Sequence, residues 1–240
     1  MVAVVPSPPL MIPQLTVGRA AESAPMREAA LAAAAALAES AGRWFVIGGH
    51  PGPAGDLGDR AGAGSFLGYG VDVPVALTPS PVAPADPDLP LPLLIAGWLR
   101  GEVARATVTA TAALVTEELP TPRCRTAGAE LAARADAAGE PVGLLVVGDG
   151  ATTHTEKAPG YLDRRAGPFD DAVAAALADA DPAGLLALDA GLAAELGAVG
   201  RAPWQVLAGA AEAAGGRWRG ELTYSAAPFG VGYHVALWHR

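Results

Sequence analysis

Residues 148–163, GDGATTHTEKAPGYLD, gather most of the chemistry this chain has to offer. Asp149, Thr152, Thr153, His154, Thr155, Glu156, Lys157, Tyr161 and Asp163 fall within sixteen positions of a sequence otherwise dominated by alanine. An imidazole can titrate near neutral pH and so move protons in either direction. A lysine inside a pocket can meet a carbonyl or an anion. Lys157 is the one lysine among sixteen basic residues, the others all being arginine. Glu156 beside it can form an exposed pair, yet adjacent side chains of an extended loop point opposite ways, which leaves Lys157 free to enter a pocket. Tyr161 and Asp163 either order the loop or line the same site. His154, Lys157 and Tyr161 are therefore the candidates for acid–base or carbonyl catalysis, with Asp149, Thr152 and Glu156 as substrate contacts. The alternative is a solvated connector whose polarity serves no ligand.

The flanking segments say what positions this loop. VGLLVV (142–147) is a short apolar run of the kind that forms a buried strand, and a helical pattern begins near Pro168. A loop between a strand end and a helix is where α/β proteins place their chemistry. The same logic applies along the chain. VAVV (2–5) reads as a strand leading into a segment too rich in proline for a helix. Ser23 reads as an N-cap, with Pro25 in the first turn of an alanine-rich helix that ends near Ser40. WFVI (44–47) is the next strand, giving the β–loop–α–β order of a parallel sheet. Glycines then forbid regular structure over 48–70 and let backbone approach a ligand closely. Residues 71–77 form a strand that Pro74 confines to an edge or bulge. A proline-rich crossing covers 78–92, followed by a short helix at 93–99 ended by Gly101, and a strand at 106–115. Helices at 126–138 and 169–179, two short ones within 182–197, another at 203–214 and strands at 217–224 and 231–238 complete the order. The expectation is one α/β domain over residues 1–240, with a mixed, largely parallel sheet.

Composition limits the partners. At 240 residues the chain has ample length for a real core. Net charge is −9 and the isoelectric point is near 4.8, with no basic cluster larger than an arginine pair. Broad phosphate-tracking contact with nucleic acid is excluded on that basis. Mean hydropathy of +0.30 comes largely from alanine, and no apolar run is long enough to span a bilayer. The first fifteen residues hold four prolines and no basic region, so they are not expected to act as a secretory signal, and a cytoplasmic location follows. One cysteine, Cys124, allows neither an intrachain disulfide nor a multi-thiolate metal site. Arg123 and Arg125 flank it and could lower its pKa, but the favoured reading is a plain free thiol at a helix start. A small-molecule ligand fits this chain best.

Five stretches, in order, resemble the class III extradiol ring-cleavage dioxygenases of the catalytic B-subunit-like branch. VPSPPLMIP looks like that family's opening strand and Pro-His-Pro-Pro turn. FVIGGHPG looks like its strand ending in histidine and glycine, and GDG through His154 lies where an Asp and a catalytic histidine follow the central strand. GRAPWQVLAGA (200–210) is similar to its Gly-Arg-x-Pro loop and helix, and PFGVGYHVALW (228–238) to its last strand. The resemblance implies a three-layer α/β fold and an Fe(II) ion held by two histidines and a carboxylate, with open positions for a catecholate and O₂. It also implies a nearby acid–base histidine, and a homodimer or a partner subunit is ordinary for the family.

Set on this sequence, the first metal histidine corresponds to Ser7 and the second to His50, a remnant ligand. The carboxylate position falls on residues 225–227, which contain no acid, and Glu221 stands four residues early, roughly 13 Å along a strand. The catalytic histidine falls on Thr152, two residues before His154. Ser7 and Arg201, the latter for a ligand anion, join the candidate substrate contacts. Three functions stand open: a dioxygenase-like oxidoreductase of a small aromatic or cyclic substrate, a metal-independent enzyme using His154 and Lys157, and a non-catalytic binding or partner subunit. The expected pocket lies among the loops carrying Ser7, His50, residues 154–157 and Arg201.

Overall fold

The computed structural model describes residues 1–16, 18, 20–50, 62–80, 84–103 and 108–240. In chain order, β1 (Val2–Val5) passes through short 3-10 turns at Pro9–Met11 and Pro13–Leu15 into α1 (Ala20–Ser40) and β2 (Arg43–His50). Two three-residue strands, β3 (Ala63–Ser65) and β4 (Pro74–Ala76), precede α2 (Leu91–Val103) and β5 (Thr109–Thr116). Then come α3 (Thr121–Ala137), β6 (Val142–Val147), α4 (Ala166–Ala178), α5 (Pro182–Leu186), α6 (Ala190–Glu195) and α7 (Arg201–Ala214). The last two strands are β7 (Arg219–Ala226) and β8 (Tyr233–His239).

Six strands form one sheet in the order β5-β2-β6-β1-β8-β7. The first four are parallel, β8 runs antiparallel to β1, and β7 runs antiparallel to β8. The chain is thus a single mixed α/β domain with a mostly parallel sheet. Alternation along the strands assigns the two faces. Val2, Val4, Phe45, Ile47, Leu144, Val146 and Trp238 join a core with residues of α3, α4 and α7. Ala3, Val5, Trp44, Val46, Leu145, Val147 and Val235 join a second core with α1 and α2. Strands that bury both faces read as continuous apolar runs, and VAVV and VGLLVV do so.

The helices meet the sheet through small residues. Met26, Ala30, Ala33, Ala34 and Leu37 form the buried stripe of α1 at i, i+3, i+4 spacing. On the other face α3 and α7 approach backbone to backbone. A Cβ on Gly128 would fall on the Val206 carbonyl and the Ala210 amide, and one on Gly209 on the Arg125 backbone.

Several boundaries differ from the sequence reading. Helix α1 begins at Ala20, so Ser23 is a buried interior residue whose hydroxyl accepts from Arg27 Nη1 at 3.4 Å, not an N-cap. Alanine propensity carries the helix back past Pro25, at the loss of one intrahelical hydrogen bond. Glycine does not end regular structure where expected: β2 runs through Gly48 and Gly49, and α2 through Gly101. Neighbouring strands supply the ladder there, pairing Gly48 with Leu114 and Val147. Pro74 does lie at an edge, in a separate two-stranded sheet. The start of the strand expected at 106, and residues 51–61 and 81–83 of the glycine- and proline-rich stretches, lie outside the described residues.

Substituting Gly128 by valine should force α3 and α7 apart and cost about 2–3 kcal/mol. Urea unfolding checks this, and an unchanged midpoint would refute the close-packed crossing.

Candidate functional site

The four parallel strands bring their C-terminal ends to one edge of the sheet. Ser7 lies two residues beyond β1, Asp149 two beyond β6, and His50 closes β2. Because β8 runs the other way, its first residues, Tyr233 and His234, reach the same edge. The segment before α7 crosses the strand ends: the Gly200 amide donates to the Asp149 carbonyl at 2.8 Å, and Gly49 packs against the Val199 carbonyl.

The loop after β6 is fixed by its backbone. The Gly150 amide donates to the Gly232 carbonyl at 2.7 Å, and the Gly232 amide returns a bond to Ala151 at 2.9 Å. His154 N–H donates to the Gly230 carbonyl at 3.1 Å, and Thr152 N–H to the Leu196 carbonyl at 2.8 Å. Further on, Arg165 grips Asp163 through both carboxylate oxygens and reaches Glu195 at 2.6 Å. Hydrogen bonds from Arg165 pull the half-buried Asp163 carboxyl down to about 2. Asp163 therefore orders the loop end.

Two carboxylates form the centre, Asp149 partly buried and Asp170 buried. Asp149 accepts the Ser7 amide at 2.6 Å and the Ser7 hydroxyl at 3.1 Å. Burial pushes its carboxyl up to about 6 despite those bonds. Asp170, in the second turn of α4, accepts the Ala151 amide at 3.2 and 3.3 Å and lies 2.6 Å, through Oδ2, from His154 Nε2. It fits only because Gly150 and Gly232 carry no Cβ; either Cβ would strike the carboxylate. His234, from β8, is 2% exposed, contacts Ser225 Oγ through Nδ1 at 3.0 Å, and stands 3.5 Å from Asp170 Oδ1 through Nε2. Trp204 packs edge-on to its ring at 5.8 Å between centroids. Burial, then the charge of Asp149, pushes the neighbouring Tyr233 phenol well up.

Among the sequence candidates, then, Ser7, Asp149 and His154 come together in or beside this cluster. His50 is exposed at the same sheet edge. Thr152 is partly buried and its hydroxyl bonds the Leu196 carbonyl at 3.2 Å. Glu156, Lys157 and Tyr161 are exposed, Tyr161 with a left-handed backbone (φ 63°).

Arg201 corrects its expectation as an anion contact. It is 1% exposed, and its guanidinium donates to the carbonyls of Glu117 and Leu119 and to Gln205 Oε1, at 3.1 Å for the last. The Gln205 amide in turn serves the carbonyls of Leu185, Leu186 and Leu188. This pair of side chains satisfies loop carbonyls that would otherwise be buried unbonded. Cys124 is a buried free thiol near the start of α3, as favoured: burial pushes its thiol up, and the opposing cation is Arg201, not the flanking arginines.

Sequence reasoning singled out neither Asp170 nor His234 as a functional residue. Asp170 reads as an ordinary acid near a helix start, and only its long-range partners reveal it.

The donor set does not fit the iron site that the resemblance implies. The Ser7 hydroxyl is bonded to Asp149, Ser225 is bonded to His234, and alanines follow at 226 and 227. Among the described residues no group of three or more His, Cys, Asp or Glu is arranged around a metal position. A cleft of about 650 Å³, lined by Met1, Phe45, Leu131, Leu144, Leu207 and Trp218 among others, opens at the opposite end of the strands and includes none of the cluster residues.

Neither a protein-family model nor a curated protein matches the chain. Among solved structures it is similar to the uncharacterized protein JW3007 from Escherichia coli K12, with 13% identity over 88% of this chain and 92% of that one, at a TM-score of 0.47.

Asp149 supplies a stability test. Its folded carboxyl holds its proton more tightly than the ordinary value of 3.8, up to about 6. Its contribution is therefore fully present below pH ~4 and lost as pH rises through about 6. Asp149→Asn keeps an acceptor for the Ser7 amide. Across that window, urea unfolding should show the wild type losing about 3 kcal/mol relative to the variant. Parallel stability–pH curves would contradict the assignment. Separately, Arg201→Met should cost about 3 kcal/mol or more by stranding buried carbonyls, measured by thermal unfolding; a melting temperature equal to wild type would count against the role.

Proposed function

We propose that the protein is a divergent relative of the class III extradiol dioxygenases that performs acid–base chemistry on a small aromatic or cyclic substrate without a family-type iron site. The observation that carries this reading is the 2.6 Å contact between His154 Nε2 and Asp170 Oδ2 at the C-terminal edge of the sheet.

A carboxylate can only accept, so Nε2 carries the hydrogen and Nδ1 is the nitrogen left to take or give a substrate proton. Asp170 holds the ring in that tautomer and stabilises the imidazolium that forms when the proton arrives. The His154 side chain is 19% exposed, enough to reach a ligand from a largely buried seat. Asp149, raised to about 6 and held by Ser7, offers a carboxyl that is protonated in mild acid and can donate to a substrate oxygen. Lys157 and Tyr161, exposed on the same loop, are the groups an arriving substrate meets. This is proton transfer at a hydroxyl or an activated carbon, the step that ring chemistry of this kind begins with.

Deuterium exchange into a panel of small phenols and cyclic carbonyl compounds, followed by proton NMR in D₂O, tests it. His154→Gln should slow exchange of an accepted compound about 100-fold, and Asp170→Asn should also slow it. Exchange indifferent to both substitutions would sink the reading. Anaerobic titration with Fe(II) should give no stoichiometric binding. A full equivalent, lost in His50→Ala, would restore the iron mechanism instead.

A further inference from the structure

His234 is the group in this region that the acid–base reading leaves unused. It is a second imidazole on the same carboxylate: His154 Nε2 meets Asp170 Oδ2 at 2.6 Å, while His234 Nε2 faces Oδ1 at 3.5 Å. Among the described residues that nitrogen is buried and makes no hydrogen bond. The side chains grade outward, at 2%, 7% and 19% exposed for His234, Asp170 and His154.

The tautomer of His234 follows from what surrounds it. With the hydrogen on Nδ1, the Nε2 lone pair would face a carboxylate oxygen in a dry site, a buried repulsion with nothing to offset it. With the hydrogen on Nε2, Nδ1 accepts from the Ser225 hydroxyl at 3.0 Å, and the Nε2 hydrogen stands near Asp170 Oδ1, 3.5 Å from the nitrogen and short of a hydrogen bond. That tautomer replaces the repulsion with an attraction between Nε2–H and the carboxylate. Trp204 against one side of the ring and the carboxylate's glycine cradle limit how either group can turn.

We infer that His234 is a positioning residue for His154: it holds Asp170 Oδ1 so that Oδ2 stays aimed at His154 Nε2, and thereby fixes the tautomer of the acid–base imidazole. The 3.5 Å separation is the resting geometry, of a kind that tightens when a ligand engages the outer histidine. Ser225, on the rim strand β7, sets the far end of the series by donating to Nδ1. The inference rests on the acid–base reading for its purpose, but the arrangement is measurable without any substrate.

The experiment is a long-range proton–nitrogen correlation spectrum of the full chain labelled with ¹⁵N-histidine, at neutral pH, which reports the tautomer of each imidazole. Wild type should show both His154 and His234 with the hydrogen on Nε2; a hydrogen on Nδ1 of His234 would overturn the inference outright. His234→Leu should lose the single-tautomer pattern of His154, and His234→Gln, whose amide can still donate to Asp170, should retain it. A folded His234→Leu protein with an unaltered His154 pattern also overturns it. Where His234→Leu does not fold, the wild-type tautomer and the glutamine variant decide. Absence of proton exchange with every compound, with these spectra as expected, would count against the acid–base function alone.

Discussion

A carboxylate buried at a sheet edge must be met on all sides, and Asp170 is the group around which this end of the molecule is arranged. It draws the Ala151 amide from the loop after β6, an imidazole from that same loop and an imidazole from β8 toward one point in α4. An unpaired charge there would cost several kcal/mol. The loop therefore cannot adopt another course without abandoning that charge. The two glycines that cradle it make the same statement sterically, since each leaves room for an oxygen where a methyl group would otherwise stand. Chemistry and folding share one set of contacts.

Much of the scaffold could be read directly. VGLLVV became β6 at its expected boundaries, 142–147, because a strand buried on both faces leaves an unbroken apolar signature. The two short helices before α7 lie where Asp181 and Asp189 cap them, each accepting an amide of its first turn. The loop at 148–163 could be singled out from composition alone, and its His154 and Asp149 do join the cluster. What could not be read is pairing across distance. Asp170 and His234 lie 16 and 80 positions beyond His154, and no local pattern ties them to it. Glycine misled in the opposite direction, since its local preference for turns was overruled at Gly48 and Gly49 by neighbouring strands, and α2 runs on through Gly101 to Val103.

Arg201 shows a further way that sequence and structure part company. A Gly-Arg-x-Pro loop beside a candidate site invites an anion, and the side chain goes instead to the carbonyls at the end of β5. Five donors in a fixed fork suit a guanidinium to that task as well as to a carboxylate or phosphate. Its neighbour one turn on, Gln205, does for the α5 region what Arg201 does for the turn before α3. The two residues make α7 a polar staple inside an apolar layer.

The alanine face of α1 has an implication for how this protein can change over time. Where a core is built of leucine and phenylalanine, sequence drift mostly trims side chains and opens cavities. Along α1 the buried positions 30, 33 and 34 are already nearly as small as they can be, so little remains to trim. Drift there can only add bulk, and added bulk lifts a 21-residue helix off the sheet as a unit instead of leaving a local void. Divergence is thereby steered away from this layer and toward the loops at the strand ends, where new side chains meet solvent or ligand and not packed backbone.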